Sequence, residues 1–287
     1  MIDSFNPPTP VVADSDFVRF RDYFYRKTGI MFADNKRYFV DKRLQERMQV
    51  TGQTLFRDYF NTIRFQASGQ EFQALVNLMT VNETYFYREE YQFRCLVQSI
   101  LPEVTRRKRP GETVRIWSVP CSTGEEPYSI AFQLLDTWAE VDRYDIEIVA
   151  TDIDTTVLEQ AKRGLYGDRA VQHVPRATLE RFTRRVGGAY EVIPDIRESI
   201  AFARVNLSDS LSTRQFRNFD VVFCRNLLIY FDDASRRDAA QTIYEALNPG
   251  GFVCLGHSES MSRISSLFEL RKFTEAIVYQ KPLSAEA

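Results

Sequence analysis

The chain has 287 residues, 44% hydrophobic and 26% charged, with a formal net charge of −2. That composition excludes a disordered chain and suits one large domain or two ordinary ones. No apolar run approaches the roughly 18 residues needed to span a membrane, and the acidic, proline-dotted residues 1–16 lack the basic-then-apolar order of a secretory signal.

Four widely spaced cysteines (Cys95, Cys121, Cys224, Cys254) form no C-x-x-C pair, which suits a reducing cytosol and speaks against a disulfide framework or structural zinc. With only two histidines, His173 and His257, most multi-histidine metal sites are excluded and histidine-driven nucleophilic catalysis has little support. The near-zero charge hides an asymmetry. Residues 1–110 carry 17 basic and 13 acidic side chains, and the remainder carries 20 and 26.

In chain order, apolar spacing predicts four short helices over about 15–27, 35–50, 54–66 and 69–79. Phe17/Phe20/Phe24, Val40/Leu44/Met48 and Phe72/Leu75/Val76/Met79 form their stripes, and Gly29, Gly52 and Gly69 punctuate them. A longer helix over about 89–107 runs into the basic, breaking segment 106–111 (RRKRPG), read as the domain linker. The expected division is a helical domain over 15–88, a linker over 89–111 and an α/β domain over 112–283.

After Gly111 the pattern alternates. Strands are expected at 114–117, 146–150, 219–224 and 251–255, with helices near 125–140, 155–163 and 233–247. Two closing strands are expected between 268 and 280. Alternation with fully apolar strands means a mainly parallel sheet covered by helices, which binds ligands at the carboxyl ends of its strands. An insertion over about 165–204 contains a helix near 176–185, a Gly187-Gly188 turn and short strands around Tyr190 and Ile200. It reads as a small antiparallel ribbon or a long decorated loop.

The first strand ends in a turn, residues 122–129 (STGEEPYS), where Ser122/Glu125 and Thr123/Glu126 both fit a capping box. It lacks the G-x-G-x-x-G phosphate cradle, and two glutamates at a helix start repel phosphate. The second strand ends at Asp152, placed to accept from both hydroxyls of a ribose, whereas Asp154 suits a helix cap. An acidic turn, a ribose-binding carboxylate and no phosphate cradle describe a nucleoside carrying positive charge, and S-adenosylmethionine fits.

Five segments in order, 82–88 (NETYFYR), 122–129, 150–154 (ATDID), 223–231 (FCRNLLIYF) and 247–252 (LNPGGF), resemble the chemotaxis receptor methyltransferase (CheR) family over roughly residues 15–282. The resemblance implies a small all-α N-terminal domain and a Rossmann-like class I methyltransferase domain with an antiparallel last strand and a small antiparallel β-insert. It implies methyl transfer from S-adenosylmethionine, yielding S-adenosylhomocysteine, to glutamate side chains of chemoreceptor cytoplasmic bundles. Carried over residue by residue, it implies cofactor contacts at Asn82, Thr84, Arg88, Glu126, Asp152, Asn206, Leu207, Arg225 and Asn226, with Tyr230 beside the transferred methyl. Arg88 and Tyr230 are then the expected catalytic pair, and no metal is expected.

Lys36, Arg43 and Arg47 are spaced to form a positive ridge, read as a docking face for a glutamate-rich receptor or simply as a solvated helix face. The short Gly187-Gly188 turn suggests independence from a C-terminal receptor tether. Segment 256–260 (GHSES) fails the G-x-S-x-G nucleophile elbow at its last position. Two other readings stay open: a nucleic-acid methyltransferase using the basic N-terminal part, and a non-catalytic S-adenosylmethionine-binding adaptor. A cytoplasmic location is expected.

Overall fold

The computed structural model describes residues 12–283, so most of the proline-dotted N-terminal stretch lies outside the described residues. The chain divides into two compact units, the first ending at Val81 and the second starting at Asn82. The boundary therefore precedes the expected break after Arg88.

The first unit holds α1 (Asp14–Thr28), α2 (Arg37–Val50), α3 (Phe56–Phe65) and α4 (Gln70–Met79). The stripes read from the sequence face its core. Phe20, Phe24, Val40, Leu44 and Met48 are all 0% exposed. Gly29 ends α1 at φ 74°, its N–H closing on the Tyr25 carbonyl, a left-handed cap that costs glycine nothing.

In the second unit a helical run over Tyr91–Cys95, Leu96–Ile100 (a π-turn) and Leu101–Thr105 is no linker. Phe93, Leu96, Ile100 and Leu101 are fully buried in the main core, and Phe93 stacks on Phe223 at 5.9 Å. Hydrophobic burial thus binds this run to the core of the second unit.

The strands are β1 (Thr113–Ser118), β2 (Asp145–Asp152), β3 (Leu165–Tyr166), β4 (Thr183–Val186), β5 (Ala189–Val192), β6 (Ile200–Arg204), β7 (Phe219–Cys224), β8 (Leu247–Leu255), β9 (Glu269–Lys272) and β10 (Ile277–Gln280). Seven form one sheet in the order β6-β2-β1-β7-β8-β10-β9. All pairings among β6, β2, β1, β7 and β8 are parallel, and β10, the last strand, runs antiparallel to both neighbours. Every residue of β7 is buried, as an apolar run covered on both faces requires. The order reverses between β1 and β7, so the ligand crevice falls at the carboxyl ends of those strands.

The insertion is a separate antiparallel sheet, β3-β5-β4, with the expected Gly187-Gly188 turn joining β4 and β5. It is shorter than read from the sequence. The strand at Ile200 belongs to the main sheet, pairing parallel with β2 from Ile148↔Ile200 to Asp152↔Arg204. There it satisfies the backbone edge of β2 that a ribbon would have left open. The helix after β1 ends at Thr137 rather than near residue 140, because Trp138 turns extended and stacks on Tyr144. The helix at Arg176 stops at Phe182, where Thr183 starts β4.

Candidate active site

The carboxyl ends of β1, β2 and β7 carry a concentration of backbone conformations that side chains disfavour. Tyr87, Glu89, Ser122 and Asn226 have φ of 60°, 56°, 47° and 57°. Left-handed residues other than glycine cost about 1–2 kcal/mol each and persist where surrounding bonds hold them. Those bonds are present. Tyr87 N–H donates to Ser129 Oγ at 3.0 Å, Ser122 N–H to Asp152 Oδ2 at 2.8 Å, and Asn226 N–H to Glu259 Oε2 at 2.7 Å.

A first cluster joins β1, β7 and segment 82–90. Glu126, in the first turn of the helix Glu125–Thr137, accepts from Ser118 Oγ at 2.7 Å and from Arg225 Nη1 at 2.9 Å. Arg225 Nη2 also donates to the Arg88 carbonyl at 2.5 Å and lies 3.4 Å from Glu89 Oε2. Arg225 is 5% exposed and its Nε is buried without a partner. Burial pushes the Glu126 carboxyl up from its ordinary value, with Arg225 opposing. For Glu89, burial also pushes up, but Arg225 and the His257 bond outweigh it and hold the carboxyl below its ordinary value.

The capping boxes expected at this turn do not form. Gly124, at φ 96°, occupies the N-cap, Thr123 Oγ1 bonds Glu125 Oε2 at 2.6 Å, and Glu126 turns to Ser118 and Arg225. The ion pair with Arg225 is stronger than the local cap it replaces.

A second cluster lies at the end of β2. Asp152 is 4% exposed and accepts backbone N–H groups from Ser122 at 2.8 Å and Asp154 at 2.9 Å, one on each oxygen. A carboxylate has about four acceptor sites, so capacity remains for a further donor. Burial raises the carboxyl to about 6, against backbone bonds from Asp154, Ser122 and Ile153. Asp154 caps the helix Thr155–Arg163 through Thr156 and Val157, as expected, and also accepts from Asn82 Nδ2 at 2.8 Å. Ser122 Oγ donates to the Asn82 carbonyl at 3.3 Å. Asn82, Asp152 and Ser122 are thereby brought together across 70 residues of sequence.

Val205 N–H bonds the Asp152 carbonyl at 2.9 Å, setting Asn206 and the buried Leu207 just beyond that strand end. Asn206 Oδ1 accepts from Ser208 N–H at 3.1 Å. Thr84 is half-buried in the same unit. Arg88 Nη1 donates to the Glu83 carbonyl at 2.8 Å, and its guanidinium lies 6.0 Å from the Tyr85 ring centre. Tyr230 ends the turn Leu228–Tyr230 and is 37% exposed. Burial raises its phenol, while the charge of Arg88 pulls the other way, which puts Arg88 and Tyr230 within electrostatic reach. Its hydroxyl is therefore a hydrogen-bond donor at neutral pH, not a base.

Sequence reasoning missed Glu89 and Glu259. Glu89 takes His257 Nδ1 at 2.9 Å and Gln92 Nε2 at 3.0 Å beside Arg225. Glu259 lies within the failed hydrolase segment, whose residue types gave the only available signal. Ser258 there is exposed. Among the described residues no group of three or more His, Cys, Asp or Glu is arranged to hold a metal.

The ridge in the first unit is not as the spacing suggested. Lys36 is exposed, but Arg43 Nε donates to the Leu78 carbonyl at 2.5 Å and its guanidinium lies 3.4 Å from the Phe39 ring centre. Arg47 makes a bidentate pair with buried Glu71, at 3.0 and 2.6 Å, and Tyr59 donates to the same carboxylate at 2.9 Å. Both arginines tie the second helix to the fourth, Arg47 because a buried carboxylate at position 71 demands a cation and Arg43 through the Leu78 carbonyl.

Residues 82–277 match the family described as CheR methyltransferase, SAM binding domain, and residues 15–80 match its all-alpha domain. The chain is 53% identical over 273 residues to chemotaxis protein methyltransferase 2 of Vibrio cholerae, covering 95% of this chain and 94% of that one. It is 36% identical to the chemotaxis protein methyltransferase of Escherichia coli, with 91% and 89% covered. Against chemotaxis protein methyltransferase 1 of Pseudomonas aeruginosa the identity is 34%, with 93% and 98% covered.

Proposed function

The chain belongs to the CheR methyltransferase family, whose enzymes use S-adenosylmethionine, and on that premise we propose that it esterifies glutamate side chains of chemoreceptor cytoplasmic domains. The observation that carries the reading is the pair of clusters at the strand ends. Asp152 and Glu126 are held at either side of the crevice by backbone and Arg225 bonds.

The residues fit a cationic nucleoside with an amino-acid tail. Asp152 has lone pairs for a ribose diol, and the buried, unpartnered Arg225 Nε is a donor for a carboxylate. Asp152, Asp154, Glu126 and Glu89 gather acidic groups near these strand ends, which suits a sulfonium. Asn82, Thr84, Asn206, Leu207 and Asn226 complete the proposed lining. When bound, the cofactor supplies an electrophilic methyl on positively charged sulfur.

The chain's own residues then have little proton chemistry to do. A glutamate carboxylate, with an ordinary pKa near 4.3, arrives ionised at neutral pH and needs no general base. Its oxygen lone pair forms the new O–CH₃ bond as the C–S bond breaks, and the departing electron pair neutralises the sulfur. Anion and cation annihilate, so excluding water and aligning the atoms are the main levers. Arg88 orients the incoming carboxylate, and the Tyr230 hydroxyl donates to it or lines the methyl path.

For docking, Lys36 is the exposed member of the expected ridge, and Arg43 and Arg47 act by fixing the helices that present it. The two-residue Gly187-Gly188 turn leaves the β4-β5 ribbon short, which supports methylation independent of a C-terminal pentapeptide tether. No helix among the described residues is long and apolar enough to cross a membrane, and a cytoplasmic enzyme without a nucleic-acid substrate is part of this reading. The test is to incubate the chain with methyl-labelled S-adenosylmethionine, receptor-containing membranes and nucleic acid together. Base-labile label on receptor supports it. Label on nucleic acid, or cofactor binding without transfer, overturns it. Calorimetry with a receptor C-terminal pentapeptide checks the tether: clear binding contradicts independence.

A further inference from the structure

Glu259 has no ion-pair partner among the described residues, yet its carboxylate is drawn inside the protein by backbone donors. Oε2 accepts Asn226 N–H at 2.7 Å and Gly256 N–H at 2.9 Å, and Oε1 accepts Leu228 N–H at 2.7 Å. Burial raises the carboxyl above its ordinary value, and these backbone bonds oppose that rise. Asn226 and Leu228 belong to the turn that follows β7 and carries Arg225 and Tyr230, and Gly256 directly follows β8. From the other side, Arg236 Nε donates to the Leu228 carbonyl at 2.9 Å. Leu228 is thus gripped at both its N–H and its C=O, two residues before Tyr230.

The fit leaves no slack. A Cβ on Gly256 would meet Asn226 Nδ2 at 2.6 Å and Glu259 Oε2 at 2.9 Å. Asn226 itself is left-handed, a conformation the free turn would abandon for ordinary φ. A carboxylate with two acceptor oxygens serves all three N–H groups, whereas an amide of the same size turns one of those oxygens into a donor aimed at a donor.

We propose that Glu259 is a positioning residue for methyl transfer, an anionic clamp that fixes the turn from Asn226 to Tyr230 in its working geometry. The proposal rests on the reading that Tyr230 lies beside the transferred methyl. The test compares wild type, Glu259→Gln, and Val114→Ala, a core truncation at the opposite end of β1. Turnover of receptor methylation, KM for S-adenosylmethionine, melting temperature and amide hydrogen exchange are measured on each. Because displacements of about 1 Å cost up to 10²-fold, kcat of Glu259→Gln is expected to fall by about tenfold or more while KM moves much less. The amides of Asn226, Leu228 and Gly256 are expected to exchange faster in that variant alone. Val114→Ala is expected to melt lower with kcat unchanged. A Glu259→Gln kcat within about twofold of wild type, a loss no greater than that of Val114→Ala at matched stability, or unchanged exchange at the three amides overturns the clamp. A wild type that labels no receptor overturns the functional reading instead, and the exchange data still decide on the clamp.

Discussion

Arg225 Nη1 and Glu126 Oε2 lie 2.9 Å apart with side chains 3% and 12% exposed, tying the end of β7 to the first turn of the helix after β1. Both charges are too buried for water to replace the partner, so losing one strands the other. Removing one member of such a pair costs about 3–5 kcal/mol, a fall of roughly 6–20 °C in melting temperature for a domain of this size. Glu126→Ala is expected near the low end, because Arg225 keeps Glu89 at 3.4 Å. Arg225→Met is expected near the high end, and the double variant should lose less than the sum. Denaturant unfolding across the double-mutant cycle checks this, and additive losses would sink the idea of a coupled pair.

Asp152 sets a pH dependence whose sign is fixed by its raised carboxyl, about 6 against an ordinary 3.8. Between those values the folded protein holds a proton that the unfolded chain has released. Its contribution to stability is therefore full at the acid end, declines as pH rises through about 4 to 6, and is gone above 6, a span of roughly 3 kcal/mol. Cofactor binding runs the other way, since a ribose diol bonds best to the ionised oxygens. Titration calorimetry with S-adenosylhomocysteine is expected to show constant affinity above pH 7 and weakening by up to tenfold per unit below about 6. Asp152→Asn should bind weakly with no such trend. A wild-type affinity independent of pH down to 5 would count against the assignment.

Arg47 and Lys36 are expected to separate stability from docking. Arg47→Glu sets two carboxylates together at buried Glu71 and should destabilise the helical unit by about 3 kcal/mol or more. Lys36→Glu, at an exposed site, should shift stability by no more than about 0.5 kcal/mol and slow receptor methylation without changing cofactor affinity. Circular dichroism melts and initial rates at varied salt check both. Unchanged rates in Lys36→Glu would remove the docking role.

Gly124 and Gly111 make a matched pair, both at positive φ, 96° and 86°. A Cβ at Gly124 would lie 2.8 Å from Ala161 Cβ and 2.9 Å from Tyr166 Oη, whereas one at Gly111 meets nothing within 4 Å. Alanine at Gly111 is expected to cost about 1 kcal/mol for the backbone alone. Alanine at Gly124 should cost clearly more and weaken cofactor binding, because the same turn carries Ser122 and starts the helix with Glu126. Equal effects in the two variants would show that close packing at Gly124 is unimportant.

Much of this architecture was legible because burial writes itself into spacing. The stripes of α1 and α2 and the all-apolar β7 follow from one-sided and two-sided burial. Asp152 was legible from its strand position, and Asp154 from its capping type. The misses are long-range. Nothing local marks Ile200–Arg204 as pairing with β2 rather than with the ribbon. Nothing local shows that Glu126 prefers Arg225, 99 residues away, to its own helix cap. Arg47 looked like surface because spacing reports which face a residue occupies, not that a carboxylate from α4 lies buried opposite it. Glu259 was hidden for the same reason: its partners are backbone amides, which carry no sequence signature.

The most direct measurement locates the methyl group. Receptor cytoplasmic domain treated with the enzyme and S-adenosylmethionine is digested and mapped by mass spectrometry before and after mild alkali. The expected result is methylation confined to glutamate side chains, released as methanol by base, and abolished in Asp152→Ala without loss of folded enzyme. Methyl groups on amines or nucleic acid, alkali-stable modification, or undiminished transfer by Asp152→Ala would contradict it.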